Sequence, residues 1–163
     1  MLTLSQQLLR LSAYNVWANT QFAELLNQVP PQWLDAEQKS SFSTLRLTAY
    51  HIWNGETVWL TRLKGTSLSA FPDRTGIHPS QFNEGAKELD AFLRTQPDAF
   101  FDGEIAYHTF DGRQFSTRLA DVLQHLFNHA TFHRGQLVTM LRGCGFEGKL
   151  PQTDFIAWQR IHG

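Results

Sequence analysis

Between Ser116 and Arg142 the chain repeats apolar residues at the spacing of one long helix, and this stretch constrains the fold more than any other. At about 100° per residue, Leu119, Val122, Leu123, Leu126, Ala130, Leu137, Met140 and Leu141 fill an arc of about 100°. A helix with one apolar stripe must bury it against other elements. Three further stretches are suited to be those partners. Thr3 to Gln28 carries Leu4, Leu8, Leu11, Val16, Phe22, Leu25 and Leu26, mostly three or four apart, and stops at Pro30-Pro31. Ser43 is placed to cap a helix from Thr44 to Leu63, with Gly65 beyond its end. Ser80 is placed to cap another that runs to about Thr95, before Pro97. Gln32 to Phe42 is a polar connection, and Lys64 to Pro79 has the Ser, Thr, Gly and Pro content of a loop.

One segment departs from this pattern. In Ile105 to Ser116 (IAYHTFDGRQFS), Asp111-Gly112 separates two β-prone runs, which predicts a short hairpin closed by a type I′ turn. Two such strands are too few to form a sheet core. Ser116 or Thr117 then caps the fourth helix, and Gly143, Gly145 and Gly148 end it. The tail has room for a helical turn or two after Asp154. The expected fold is all-α, a four-helix bundle with a small β-hairpin inserted before the fourth helix. With 163 residues and no repeat or linker, a single domain over residues 1–163 is expected.

Charge and composition remove several functional classes. A net charge of −1 leaves no basic footprint for nucleic acid. No apolar run is long enough to cross a bilayer, and the N-terminus has no charged region leading into a long apolar one, so neither membrane nor secretory routing is expected. The single cysteine, Cys144, fits a reducing cytoplasmic setting. It lies just past a helix C-terminus, whose negative end disfavours a thiolate, so it is taken as a packing residue.

The chemistry-bearing residues lie on the fourth helix. His125, His129 and His133 are four apart, so they stack on one face. Measured from Val122, His133 falls at about +20°, His129 at about −20° and His125 at about −60°. His129 and His133 therefore face the bundle interior, and His125 lies at a boundary. Two imidazoles at this spacing form a metal grip that calls for a third ligand from a facing helix. His51, among Leu47, Tyr50, Asn54 and Val58 on the second helix, is the candidate. His78, His108 and His162 lie in loop, hairpin and tail and are less suited. Glu56 points to a different face from His51 and is read as an ion-pair partner. The expected site is His51, His129 and His133 around a divalent metal with an open position. Imidazole donors suit zinc, nickel, iron or copper, the first three being expected here. Ala130 follows His129, so the HExxH pattern is absent, and neither paired ExxH motifs, a phosphate loop nor GxSxG occurs.

The same residues carry a resemblance. Tyr14-Asn15-Val16-Trp17-Ala18-Asn19, Ser41-Phe42-Ser43, His51 through Leu60 (HIWNGETVWL) and Gln124 through Gln136 (QHLFNHATFHRGQ) resemble motifs of the DinB family, within the DinB/YfiT-like superfamily of metalloenzymes. The resemblance covers nearly the whole chain. It implies a four-helix bundle, usually a homodimer, with a metal held by His51, His129 and His133. Phe132 departs from it, since many relatives carry another histidine there. Relatives in the wider superfamily use low-molecular-weight thiols, so the resemblance implies a metal-dependent thiol transferase or related detoxifying enzyme acting on a small-molecule substrate. Trp17, Tyr50 and Trp53 are candidates to shape an apolar substrate pocket. Arg134 lies off the histidine stripe, whereas Gln136 falls near His129 and is placed to orient a ligand histidine. The alternatives are a non-catalytic metal-binding stress-response protein and a helical interaction module with polar core histidines.

Overall fold

A computed structural model describes residues 1–163. Four long helices form the bundle: α1 (Leu4–Leu26), α3 (Leu45–Leu63), α4 (Asn83–Arg94) and α5 (Leu119–Gly143). A single turn, α2 (Pro31–Leu34), follows α1, and α6 (Phe155–His162) closes the chain. Strands β1 (Glu104–His108) and β2 (Gln114–Arg118) pair antiparallel just before α5. Helices α1 and α3 each pack on both α4 and α5, so α1 and α3 lie across a diagonal of the bundle.

Local chemistry sets the ends of the elements. Thr3 and Gln6 form a capping box that starts α1. At the far end of α5, Gly145 takes φ 91°, and the amides of Gly145 and Phe146 bond back to Arg142 and Leu141. This Schellman closure needs the left-handed conformation that glycine adopts at no steric cost.

Several expected boundaries are corrected. The connection after α1 holds the α2 turn, because Pro31 at its first position is preset for a helix. The cap of α3 is Thr44, not Ser43, with Thr44 Oγ1 accepting from the Leu47 amide at 3.1 Å. Ser80 caps nothing. The His78 side chain accepts from the Ser80 amide and starts a 3₁₀ turn, Pro79–Phe82, that leads into α4. Neither Ser116 nor Thr117 caps α5, because both lie in β2, which passes directly into the helix. The Leu119 amide is satisfied instead by the Gly103 carbonyl at 2.9 Å. The hairpin turn is not type I′, which needs positive φ at both central residues. Only Gly112 has positive φ there, at 82°, and the Thr109–Arg113 bonds describe a longer turn with a glycine bulge.

Two apolar clusters fill the bundle. One gathers Phe22, Leu26, Leu45, Ile52, Phe82, Leu137 and Leu141, and the other Leu8, Leu60, Leu89, Leu93, Leu123 and Leu126. A buried polar layer lies between them. Asn15 and Asn19 of α1 each donate an amide proton to Glu56 Oε1, at 2.8 and 2.9 Å. Their carbonyl oxygens each accept from Arg134 Nη1 at 2.7 Å. Glu56 is only 1% exposed and Arg134 2%. Two neutral amides thus relay between a carboxyl on α3 and a guanidinium on α5. Burial pushes the Glu56 carboxyl up to about 8 against the pull of Asn15, Arg134 and Asn19. Glycine at position 85 on α4 lets both side chains approach, since a Cβ there would lie 2.7 Å from Glu56 Oε2 and from the Trp53 ring and force one of them to shift.

Removing one member of this layer strands the other. Arg134→Met leaves the Asn15 and Asn19 carbonyl oxygens without a donor and should lower the unfolding free energy by about 2–4 kcal/mol. The double variant Arg134→Met/Glu56→Gln should recover part of the loss in urea denaturation. Equal stability of the single variant and wild type would show that the relay is not cooperative.

Candidate metal centre

His51 comes from α3, and His129 and His133 from consecutive turns of α5. Their ring centroids lie 4.7, 4.6 and 4.5 Å apart, pair by pair. One ligating nitrogen from each falls within 4.8 Å of the others. Small side-chain rotations close that spread around a single ion. The two positions expected from the helix wheel and His51, expected from the facing helix, therefore meet in space. His133 is buried, His51 and His129 are half-buried, and His125 is exposed beside the Trp59 ring.

The surroundings of each ring explain its position. His129 reaches across to α3 because residue 55 has no side chain; a Cβ there would stand 3.1 Å from the His129 ring. His129 Nε2 and His51 Nε2 are 2.8 Å apart, a contact in which two neutral imidazoles share one proton. Phe42 packs on His51 with centroids 4.2 Å apart and also flanks His133. His133 Nδ1 donates to Gln136 Oε1 at 2.8 Å, and Gln136 Nε2 donates to Ser41 Oγ at 2.7 Å. With Gln136 Oε1 facing the ring, the proton of neutral His133 lies on Nδ1 and the Nε2 lone pair is free to ligate. The ligand histidine that Gln136 meets is thus His133.

Electrostatics keep this donor set neutral. Burial, and then the proximity of His133, lower His51 to about 4. Burial, and then His133, His51 and His125, lower His129 to about 3. His133 is lowered by burial, with the Gln136 bond acting the other way. Three neutral, convergent imidazoles fit a borderline divalent cation.

Other expectations are placed as follows. Glu56 and Arg134 belong to the buried relay and stand off the site. Cys144 Sγ accepts from Gln38 Nε2 at 3.0 Å and packs against the core, with burial raising its thiol. Phe132 is 62% exposed and meets His133 edge-on, so it covers that ring from outside. Of the three aromatic residues expected to shape a pocket, only Tyr50 lines the cleft beside His51. Trp17 lies instead with Tyr14 and His162 near the C-terminal helix. Trp53 is buried in the core under the Arg74 guanidinium. Phe71 and Phe110, from the 64–79 loop and the hairpin tip, meet 4.8 Å apart beside His51. Sequence periodicity gave no signal for Phe71, Phe110 or Arg74, because they sit in irregular segments. Ser41 and Phe42 were visible as a motif, without a role.

The DinB family model matches residues 4–160. The chain belongs to the DinB family. It is 28% identical to Protein DinB of Bacillus subtilis strain 168 over 151 residues, covering 84% of this chain and 86% of that one. Two crystal structures share the fold. A DinB-like protein from Bacillus subtilis superposes with a TM-score of 0.68 at 15% identity, covering 88% of this chain and 97% of that one. A DinB-like protein from Bacillus cereus ATCC 10987 does so with a TM-score of 0.61 at 20% identity, covering 85% and 90%. The DinB fold thus accounts for nearly the whole chain, the histidine-bearing helices included.

The depressed histidines set a pH dependence. An unfolded imidazole takes a proton near pH 6.5, whereas these resist until about pH 4 and 3. Below pH 6.5 the unfolded chain binds more protons, so the metal-free protein loses stability as pH falls toward 4. Thermal melts across that window should show the decline, and His129→Ala should make it shallower. A slope unchanged by His129→Ala would contradict the cause assigned here.

Proposed function

We propose that His51, His129 and His133 hold one divalent metal and leave part of its coordination sphere open toward the adjacent cleft. The observation that carries this reading is the convergence of three imidazole donors from two helices, with His133 Nδ1 held against Gln136 Oε1. Zinc, nickel and iron suit that donor set. When bound, such an ion supplies a Lewis acid that acidifies a thiol or a water.

The chain's own residues do the rest. Gln136 holds His133 in orientation, and Phe42 and Phe132 shield the imidazoles from bulk water on two sides. The cleft that borders His51 admits a small molecule, with Tyr50 and Phe71 offering apolar surface. We assign the protein a metal-dependent transfer of a low-molecular-weight thiol to an electrophile, the activity class suggested by its superfamily. Family resemblance also supports a homodimer.

Elemental analysis of tag-free protein tests the metal. Wild type should carry about one ion per chain, and His51→Ala and His129→Ala none. Stripped and reloaded protein should consume an electrophile such as 1-chloro-2,4-dinitrobenzene only with thiol and metal together. A metal-loaded chain inert across thiol and electrophile panels, yet stabilised by the ion, would favour the non-catalytic stress-protein reading. A chain that takes up none of the three metals would leave the histidines as core residues.

A further inference from the structure

The cleft beside His51 has a volume of about 860 Å³, within the range of small-molecule sites, and two arginines line it. Arg46 is already paired: it binds Asp35 through Nε and Nη2, at 2.7 and 3.0 Å, and Tyr50 through Nη1. Arg74 differs. Its guanidinium lies 3.7 Å from the centre of the Trp53 ring. Nε donates to Asn54 Oδ1 at 3.0 Å, and Nη2 to Thr57 Oγ1 at 2.8 Å. These bonds occupy one edge of the fork and fix its plane. Nη1 has no protein acceptor and is not among the buried unpartnered atoms, so it faces water.

No carboxylate pairs with this cation. The four ion pairs of the chain all involve other residues. Asp73, the acid next to it in the cleft wall, turns Oδ1 back onto the Thr75 amide and hydroxyl, at 2.8 and 2.6 Å. Glu88 acts only at longer range, and burial lowers the Arg74 pKa despite it. Fastening the 64–79 loop to α3 explains the engaged edge but not the free one. A guanidinium held rigid by stacking and two hydrogen bonds, with an open edge and no counter-ion, is preorganised for an anion. Asn54, which holds it, lies one turn beyond His51 on the same helix face.

We propose that Arg74 is an anion-binding residue that receives the carboxylate of a small organic acid, whose body lies along Tyr50 and Phe71 and whose other end approaches His51. The proposal adds a substrate class to the function assigned above and rests on that reading only for what happens at the His51 end. The anion subsite itself needs no metal.

The test titrates ¹⁵N-labelled protein, metal-free and zinc-loaded, with 3-phenylpropionate, its neutral amide and inorganic phosphate, following the Arg74 Nε–Hε cross-peak in wild type and, in wild type and variants alike, the backbone amide cross-peaks of Tyr50, Asn54 and Phe71. The acid should saturate and shift that peak, and the amide should bind about 10- to 100-fold more weakly. Arg74→Gln should abolish this preference, while Arg74→Lys, which keeps the charge and loses the fork, should retain it in reduced form. Zinc uptake should be unchanged in both variants. Equal binding of acid and amide, a preference that survives Arg74→Gln, no saturable acid binding at millimolar concentration, or phosphate displacing the acid with equal affinity would each overturn the proposal. A chain that takes no zinc but prefers the acid keeps the anion subsite and loses the metal centre. A chain that takes zinc without the preference does the reverse.

Discussion

The relay from Glu56 through Asn15 and Asn19 to Arg134 fixes the register of three helices at once. Two apolar faces can slide past each other at modest cost, whereas the buried carboxyl loses its two amide donors and the guanidinium its two carbonyl acceptors if either helix shifts by a turn. Because Arg134 follows His133 directly, and Glu56 sits beside the Gly55 that admits His129, the same register brings His51 opposite its two partners. Specificity in the middle of the bundle thus becomes precision at its edge. The apolar clusters on either side supply most of the burial but would tolerate several registers.

Periodic elements were legible in the sequence because their signal is repeated along the chain. The stripe on α5 and its angular relation to the histidines needed only residue spacing, and His51 followed from the demand for a ligand on a facing helix. Ends of elements were harder. Ser43, Ser80, Ser116 and Thr117 are all competent caps by residue type, yet Thr44, His78 and the carbonyl of Gly103 do the capping. Capping depends on where the backbone enters the helix, and a strand that runs straight into α5 removes the need for a side-chain cap there.

Of the walls of the cleft, the α3 side with Tyr50 and His51 was legible, and the loop side was not. Phe71 and Arg74 lie in a loop whose path is set by tertiary contacts: Arg74 to Asn54, Thr57 and Trp53, and the Tyr50 hydroxyl to the Ile77 carbonyl. None of these leaves a periodic trace. Trp17 and Trp53 misled for a related reason, since a large aromatic residue near a site in sequence serves equally well as core packing on another face. Arg134 and Gln136 show the same point on a smaller scale. They are two residues apart on one helix, and one completes a buried network while the other holds an imidazole.

Gly55 sits in the interior of α3, where alanine would firm the helix by about 1 kcal/mol. A methyl group here would crowd the His129 ring, at 3.1 Å from its nearest atom. Thermal robustness and the histidine cluster therefore make opposing demands on a single position. Alanine there would strengthen α3 locally while pressing on the ring that α5 extends toward it, so the helix that carries His51 gives up some of its own stability at the point where His129 approaches.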